Sequence, residues 1–390
     1  MKALRSILTK SVIYYFALTG IAVHLLAFGT YIYQPTLASR VIDKARQYLS
    51  DRGYPVGSEQ HLKGSQDPSE DVTSAIGNWE FLQNETSFQG RARIGDRIFP
   101  SISEAVSSLN DGDTLEIGVG IHKESIVIEN NNITVRGIGH SVIEGVAAKG
   151  KAAILNKGDN NRIENIECRF ITVKDRNGAC IRHQGKNLVL VHVYFHHSES
   201  GLLSGRNPGE VVIRNSRFEQ LGKSGRAHGV YMNGGTLIID KSLFVSSVDQ
   251  GHEIKTRGAR TVIQNSVIAS LSGNDSRLID ASAGGQLVIE NSILQQGPNS
   301  VNQDAIGYGL EGYKHAKNSI VLKNNLVFLE RNLSNNFINI KGSDVKPVLH
   351  GNTFVSKEHI DIEGFNLSFA NRAEAGLPDY PKLPLSRIGL

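Results

Sequence analysis

Short apolar segments recur along the chain at a nearly constant interval, and each ends in a polar pair. The clearest copies are IENIECRF at 163–170, VVIRNSRF at 211–218, LIIDKSLF at 237–244, TVIQNSVI at 261–268 and LVIENSIL at 287–294, with VLHGNTFV at 348–355 as a weaker one. Their serines at 216, 242, 266 and 292 lie 26, 24 and 26 residues apart. This period predicts a solenoid with about three short strands in each coil. A β-sandwich also has many short strands, but the fixed period favours the solenoid.

Equal phase in such a solenoid predicts which polar residues meet. Residues one period apart stack vertically, about 4.8 Å apart, when the coils are parallel. The asparagines at 215, 265 and 291 would then form a ladder at one turn of each coil. Stacked amides can satisfy one another between coils, so this ladder predicts a structural role rather than a site.

A short helix is predicted at 101–109, just before the strands begin. Ser101 or Ser103 can cap it, and its apolar face comprises Ile102, Ala105, Val106 and Leu109. The Gly112-Asp113-Thr114 motif and Gly120 then accompany the strands LEIGV, SIVIE and NITVRG. This stretch resembles the opening of right-handed parallel β-helices of the pectate-lyase-like superfamily, in which a helix covers the open end of the coil. The resemblance implies an all-β, single-stranded right-handed parallel β-helix over roughly residues 91–355.

The N-terminus predicts a membrane anchor. Residues 11–33 are 23 consecutive residues without a formal charge. They follow a short segment, residues 1–10, that contains three basic residues. That length spans a bilayer core, whereas a cleavable signal peptide has a shorter apolar segment. We therefore expect a transmembrane signal anchor with the body outside the cytoplasm, which in a Gram-negative host means an inner-membrane protein facing the periplasm. Residues 34–90 are predicted to be a linker or stalk, and residues 356–390 a C-terminal cap or tail.

Charge and cysteine content limit the classes of ligand and metal site that we expect. The net charge is +4, with Lys and Arg spread along the chain, so a nucleic-acid ligand is not expected, while an acidic polymer is compatible. The only cysteines, Cys168 and Cys180, match no zinc spacing; they either pair outside the cytoplasm or are buried small apolar groups. The sequence leaves open whether the protein is a monomer or an oligomer.

Candidate chemistry lies where GHEIKTRG at 251–258 repeats the phase of AHGVYMNG at 227–234, 24 residues earlier. One column of stacked residues is predicted to contain His228, His252 and Arg277, and a second to contain Arg182, Ser204, Tyr231, Lys255 and Asp280. Between them runs an apolar column of Ile181, Leu203, Val230, Ile254 and Ile279 that faces the core. Strand alternation predicts that Glu253, Lys255 and Arg257 point outward together with Tyr231 and Asn233. The orientation of the two histidines stays open, because a bend at Gly229 or a preceding turn would expose them.

These residue types suit β-elimination on a uronate polymer. Elimination needs a neutralised carboxylate, a base for the C5 proton and an acid for the leaving oxygen. Arginines at 257 and 277 suit the carboxylate, with Asp280, Glu253 and Arg182 as further substrate contacts. Lys255, His228, His252 or Tyr231 would transfer protons. The Lys255–Arg277 pair is similar to the lysine and arginine of chondroitinase-B-like and alginate lyases, which implies a polysaccharide lyase. A C5-epimerase would share the first step.

Two other function classes stay open. A glycoside hydrolase needs two carboxylates, for which Glu253 and Asp280 are candidates, with Asp249 and Glu311 nearby. A non-catalytic solenoid could bind an acidic polysaccharide during assembly or export. No cofactor is expected; calcium could use the Asn274-Asp275 pair, but no ligand loop with fixed spacing is present.

Overall fold

The computed structural model of the protein describes residues 68–83, 88–342, 345–358, 360 and 363–390. Within these residues the chain forms a parallel β-solenoid of about nine turns, as the repeat period predicts. Each coil contributes strands to three faces, and every strand pairs in parallel with its counterpart in the next coil. One face is a nine-stranded sheet, which we call the groove face. Its strands are β5 (Ile126–Ile128), β7 (Ala152–Asn156), β9 (Ala179–His183), β12 (Ser200–Ser204), β15 (Val230–Met232), β18 (Ile254–Thr256), β21 (Ile279–Ala281), β24 (Asp304–Tyr308) and β27 (Asn336–Ile340).

A 21-stranded sheet forms the other two faces, joined through two long strands, β6 (Thr134–Glu144) and β8 (Asn161–Arg169). The second face comprises β3 (Thr114–Ile117), β10 (Leu188–Val191), β13 (Glu210–Arg214), β16 (Thr236–Asp240), β19 (Arg260–Gln264), β22 (Gln286–Glu290), β25 (Ser319–Lys323) and β28 (Val348–His350). The third face comprises β4 (Gly120–His122), β11 (Tyr194–His196), β14 (Arg217–Glu219), β17 (Leu243–Val245), β20 (Val267–Ala269), β23 (Ile293–Gln296), β26 (Leu326–Leu329), β29 (Thr353–Ser356) and β30 (Leu367–Phe369).

The predicted helix covers the first coil. It spans Ile102–Ser107, and the Ser101 side chain accepts a hydrogen bond from the Glu104 N–H at 3.1 Å. Ile102 and Ala105 are fully buried against the core of the first coils, so the helix closes the open end of the solenoid. Before it, β1 (Ala92–Ile94) and β2 (Arg97–Phe99) form an antiparallel pair, and β1 also pairs antiparallel with β3.

Polar ladders hold the turns between coils. The stack runs through the serines more than through the predicted asparagines: the backbone N–H of Ser216 donates to Ser242 Oγ at 3.2 Å, and Ser242 and Ser266 repeat the bond one coil on. Of the asparagines, Asn291 donates to Asn265 at 2.6 Å, but Lys241 occupies the position between Asn215 and Asn265. The asparagine ladder is therefore interrupted, and the serine hydroxyls satisfy the buried turn N–H groups.

The packed part of the protein begins before residue 91. A further helix, Pro68–Ile76, buries Val72 and Ala75 against the outer side of the third face, and residues near the C-terminus join the same apolar cluster. Trp79 follows the helix and packs against His192, with the tilted rings 4.4 Å apart between centroids. Within the predicted 34–90 linker, the helix and Trp79 thus pack on the solenoid through their apolar side chains.

The C-terminal segment also lies along this flank. Leu377 and Leu383 belong to the same apolar cluster, and the Tyr380 hydroxyl donates to Asp71 at 3.1 Å. A short 3₁₀ helix, Leu385–Ile388, buries Ile388. The segment from Leu377 to Ile388, within the predicted cap or tail at 356–390, therefore lies along the side of the solenoid.

The predicted membrane anchor, residues 11–33, lies outside the described residues. None of the helices in the described part of the chain is long and apolar enough to cross a membrane.

A disulfide links Cys168 at the end of β8 to Cys180 in β9. Both residues are fully buried in the core. The sequence left open whether the two cysteines pair, and in the structure they do. The closed loop spans 12 residues of sequence, and a cross-link of that size stabilises a fold by about 3 kcal/mol through the unfolded chain.

Candidate functional site

A band of charged and aromatic side chains crosses the groove face over its central coils. Val230, Ile254, Ile279 and Ile306 stack as one inward column of this face, each pairing with the next. The residue after each points to the opposite side, which stacks Tyr231, Lys255, Asp280 and Gly307 outward. The sequence-derived column from Tyr231 to Asp280 is confirmed.

The strands bend just before the inward column, and this bend determines the directions in which the side chains of Glu253 and His252 point. Glu253 is only 1% exposed, and its carboxylate accepts bonds from the Ser247 N–H at 2.6 Å and the Ser247 hydroxyl at 2.8 Å. The prediction that Glu253 points outward with Lys255 and Arg257 is therefore wrong. Because Glu253 and Ile254 both face inward, strict alternation fails here, and His252 falls on the groove side.

Lys255 stands at the centre of the band. Its ammonium donates to Asp280 at 2.7 Å and to Glu311 at 3.1 Å. Arg257 donates two hydrogen bonds to the Glu311 carboxylate, from Nε at 2.6 Å and from Nη2 at 2.8 Å. The hydrogen bonds from Arg257, aided by the charge of Lys255, lower the pKa of Glu311, so this carboxylate is ionised.

Tyr231 is hydrogen-bonded to the same arginine. Arg257 Nη1 donates to the Tyr231 hydroxyl and, at 3.1 Å, to Asn233 Oδ1. The guanidinium also lies over the tyrosine ring, 5.0 Å from its centroid. The N–H groups of Arg257 that the sequence assigned to a substrate carboxylate already have partners within the protein.

The two histidines stack with their ring centroids 4.8 Å apart. The backbone N–H of His252 donates to His228 Nδ1 at 3.0 Å, and the backbone N–H of Arg277 donates to His252 Nδ1 at 3.1 Å. Each Nδ1 is thus an acceptor, and the ring proton is on Nε2. Burial, reinforced by His252 and Lys255, holds the pKa of His228 well below its usual value. Neither ring can accept a substrate proton at Nδ1 without losing a backbone hydrogen bond.

Arg277 extends the histidine column by one coil, as the sequence predicts, and meets a residue the sequence analysis missed. Its Nη2 donates to Asp304 at 3.1 Å, and Asp304 also accepts bonds from Asn336 at 2.8 Å and Asn339 at 2.9 Å. Asp304 lies in phase with Arg277, 27 residues later. Continuing the column by one more period would have found it.

Arg182 lies at the N-terminal side of the band, in the same outward column as Tyr231. Leu203 stands between them, pairing with Arg182 on one side and Tyr231 on the other. The repeat predicts Ser204 at this position and Leu203 in the core column. That register is wrong by one residue, because Leu202 faces the core instead. Arg182 therefore belongs to the column but not to the cluster around Lys255.

Glu311 reaches the cluster on a long connection. Residues 309–318 join β24 to β25, whereas only residues 282–285 join the corresponding strands one coil earlier. The loop folds back over the groove face, with the Glu311 N–H bonded to the Ser282 carbonyl at 2.8 Å and a His315 ring nitrogen 3.1 Å from the Arg257 carbonyl oxygen. By contrast, Asp249 pairs with Lys223 at 3.2 Å and takes no part.

The cluster thus brings together a phenol, an ammonium, two guanidinium groups and three carboxylates on one face of the solenoid, with Asp280 and Asp304 almost fully buried. This set can transfer protons and stabilise charge. Asp275, the candidate calcium ligand, is instead buried and accepts a bond from Ser270 Oγ at 2.9 Å. In the part of the chain that the structure describes, no group of three or more histidine, cysteine, aspartate or glutamate side chains is arranged to hold a metal ion.

Comparisons with known proteins find no matching family model and no matching curated protein. Among solved structures, the chain is similar to pectin methylesterase PemA from Erwinia chrysanthemi, at 13% identity, covering 80% of this chain and 97% of that one, with a TM-score of 0.40. It is also similar to pectate lyase Pel9A, at 15% identity, 81% and 85% coverage and a TM-score of 0.39. A PL6 family alginate lyase gives 13% identity, 68% and 52% coverage and a TM-score of 0.29. Likeness at this level carries no argument about chemistry, so the assignment of the fold rests on the strand pairing itself.

Proposed function

We propose that the protein acts on an acidic polysaccharide bound along the groove face, and that it cleaves the polymer by β-elimination. The observation that carries this proposal is the contact between the Tyr231 hydroxyl and the Arg257 guanidinium, with Lys255 as the neighbour of Tyr231 across the strands. A guanidinium in contact with a phenol oxygen stabilises negative charge on that oxygen. Tyr231 is therefore the best placed base in the groove, ahead of the stacked histidines.

The elimination assigns one role to each group. Tyr231 takes the C5 proton of the uronate, a double bond forms between C4 and C5, and the glycosidic oxygen leaves with the electron pair of its bond to C4. Lys255 protonates that oxygen, and solvent restores both groups. Arg277 pairs with the uronate carboxylate through the N–H groups that Asp304 leaves open. Arg257 positions Tyr231, and a C5-epimerase would use the same first step.

A hydrolase is the second candidate, because the cluster contains three carboxylates, those of Asp280, Asp304 and Glu311. A glycosidase needs one of its two carboxyl groups to be a proton donor. Glu311 is ionised and bound by two cations, and Asp280 and Asp304 each pair with one. Elimination therefore fits the charge pattern better.

The full-length protein, purified in detergent, is expected to release unsaturated uronates from at least one member of a panel of uronate polymers, read as ultraviolet absorbance of the product. Lys255→Ala should lower that rate by about a hundredfold or more. Lys323→Ala, an exposed lysine on the second face, is the matched control and should keep the rate. New reducing ends without the absorbance would replace elimination by hydrolysis. Binding without cleavage would leave a polysaccharide-binding scaffold.

We also propose that the body lies outside the cytoplasm, anchored by residues 11–33. The Cys168–Cys180 disulfide supports this, because such bonds persist mainly in oxidising compartments. Alkaline phosphatase fused after Leu390 should be active in a bacterial host, and deletion of residues 11–33 should abolish that activity. A β-galactosidase fusion at the same place that is active instead would contradict the anchor topology.

A further inference from the structure

Arg182 differs from the other cations of the groove face in its surroundings. Its neighbours in the outward column are Leu155 on one side and Leu203 on the other, and both leucines are almost fully buried. The aliphatic stem of the arginine therefore packs between two apolar side chains. This leaves the end of the guanidinium at the partly open surface of the groove.

The charge of Arg182 has no carboxylate partner among the residues that the structure describes. Across the described residues, no carboxylate lies within ion-pair distance of it, and its Nε is buried without a hydrogen-bond partner. Burial lowers the pKa of Arg182, and no neighbouring charge contributes to that shift. An arginine nevertheless stays protonated in proteins, so the fold tolerates a half-buried, unpaired charge.

The contrast with the central cluster is direct. Lys255 pairs with Asp280 and Glu311, Arg257 with Glu311, and Arg277 with Asp304. A ligand anion arriving there must share a cation with an internal carboxylate. At Arg182 the anion would meet a guanidinium that pairs with no carboxylate of the described residues.

We propose that Arg182 is an anion-binding subsite, which recognises an acidic group on a sugar unit next to the one held at Tyr231 and Lys255. This inference rests on the proposed polysaccharide function and extends it by placing the recognition of acid away from the reacting centre. Arg182 and Tyr231 are two strands apart, which is about 9.5 Å in a parallel sheet. That distance is greater than the width of one sugar ring, so the two residues contact different units of one chain.

The acidic group is a planar or tetrahedral oxyanion, either a uronate carboxylate or a sulfate ester. A guanidinium fork binds both through paired, charge-assisted hydrogen bonds. The leucines beside it exclude water from one side of the fork, which strengthens those bonds.

Calorimetric titration of the full-length protein separates the possibilities. The ligands are a uronate oligosaccharide, its carboxyl-reduced neutral counterpart and a sulfated neutral oligosaccharide of the same length. Arg182→Gln is expected to weaken binding of the acidic oligosaccharide by about ten- to a hundredfold and to leave the neutral one unchanged. Arg260→Gln, an exposed arginine on the second face, is the control and should change neither. The arm that Arg182→Gln weakens identifies carboxylate or sulfate as the ligand group.

Equal affinity of Arg182→Gln and the wild type for the acidic oligosaccharide would overturn the subsite. If the wild type binds no oligosaccharide at all, the polysaccharide function fails, and sodium glucuronate and sodium sulfate then test the subsite alone. Either salt should raise the melting temperature of the wild type above its value in glucose with the ionic strength matched by sodium chloride, and this rise should disappear in Arg182→Gln. A rise that persists in the variant, or that does not occur in the wild type, would count against the subsite.

A second variant guards against misfolding. Arg182→Leu continues the apolar column of Leu155 and Leu203, so it should fold, melt at a higher temperature than the wild type and still lose the preference for the acidic ligand. A lower melting temperature would mean that the arginine is retained for a structural contact.

Discussion

Replacing Tyr231 with phenylalanine is expected to slow elimination by about a hundredfold to ten-thousandfold, the range that one positioned proton-transfer group supplies. The phenol oxygen is the only atom removed. The ring keeps its edge contact with His228, at 5.2 Å between centroids, and its place under Arg257. The measurement is the initial rate of unsaturated product at saturating polymer. Because the ring still lines the groove, KM should change little while kcat falls.

Tyr313→Phe is the matched control for this variant. The Tyr313 hydroxyl is buried on the loop that brings Glu311 to the cluster, and it has no hydrogen-bond partner in the structure. Its removal should leave kcat unchanged. Full activity in Tyr231→Phe would move the base to another residue, with Lys255 the next to test. An equal loss in both tyrosine variants would instead indicate that the groove as a whole is distorted.

The contribution of Asp275 to stability is expected to fall as the pH rises from 4 to 8, by roughly 4 kcal/mol. This aspartate is fully buried beside Ser270 and Ser300, and burial raises its pKa to about 7, against 3.8 for an exposed aspartate. The folded protein thus holds the proton more tightly than the unfolded chain. The contribution of Asp275 is complete below the unfolded pKa, near 4, and is lost as the pH rises through 7.

Burial, and then the nearby Asp275, also raise the pKa of Glu253, so this second carboxyl acts in the same direction. Asp275→Asn keeps a hydrogen-bonding group of the same size without the charge. It should remove this contribution, so that the variant gains stability relative to the wild type as the pH rises to 8, as measured by urea unfolding at each pH. Asp379→Asn, an exposed aspartate near the C-terminus, should leave the slope as it is. A difference in unfolding free energy between Asp275→Asn and the wild type that stays constant from pH 4 to pH 8 would show that Asp275 is not protonated in the fold.

The period of the apolar segments was sufficient to predict the solenoid. Every coil must bury its own Val, Ile or Leu column against the next coil, so the same pattern has to return after each turn. The vertical order of Tyr231, Lys255 and Asp280 follows from that repeat, since equal phase in parallel coils means direct pairing. The helix before the first coil was also predictable, because Ser101 and the apolar positions after it are local signals.

Orientation at the bend and partners from distant loops could not be read from the repeat. Glu253 turns inward because Ser247, six residues away, satisfies its carboxylate in the core, and strand alternation alone predicts the opposite. The strand at 200–204 differs from the predicted register by one residue, so that Leu203 and not Ser204 lies between Arg182 and Tyr231, and a shift of one residue exchanges the inward and outward side chains of a strand. Glu311 is 54 residues from Arg257 and reaches it only because one long loop folds back across two coils.

The amino-acid sequence by itself therefore determined the architecture and the vertical order of the central columns, because both follow from periodicity along the chain. Only the tertiary structure decided how the cations of the groove face are paired. Lys255, Arg257 and Arg277 are neutralised by carboxylates from other coils or loops, whereas Arg182 lies between leucines. The physical reason is that Coulomb interactions depend on distance in space, and the distances that matter here join residues far apart in the chain.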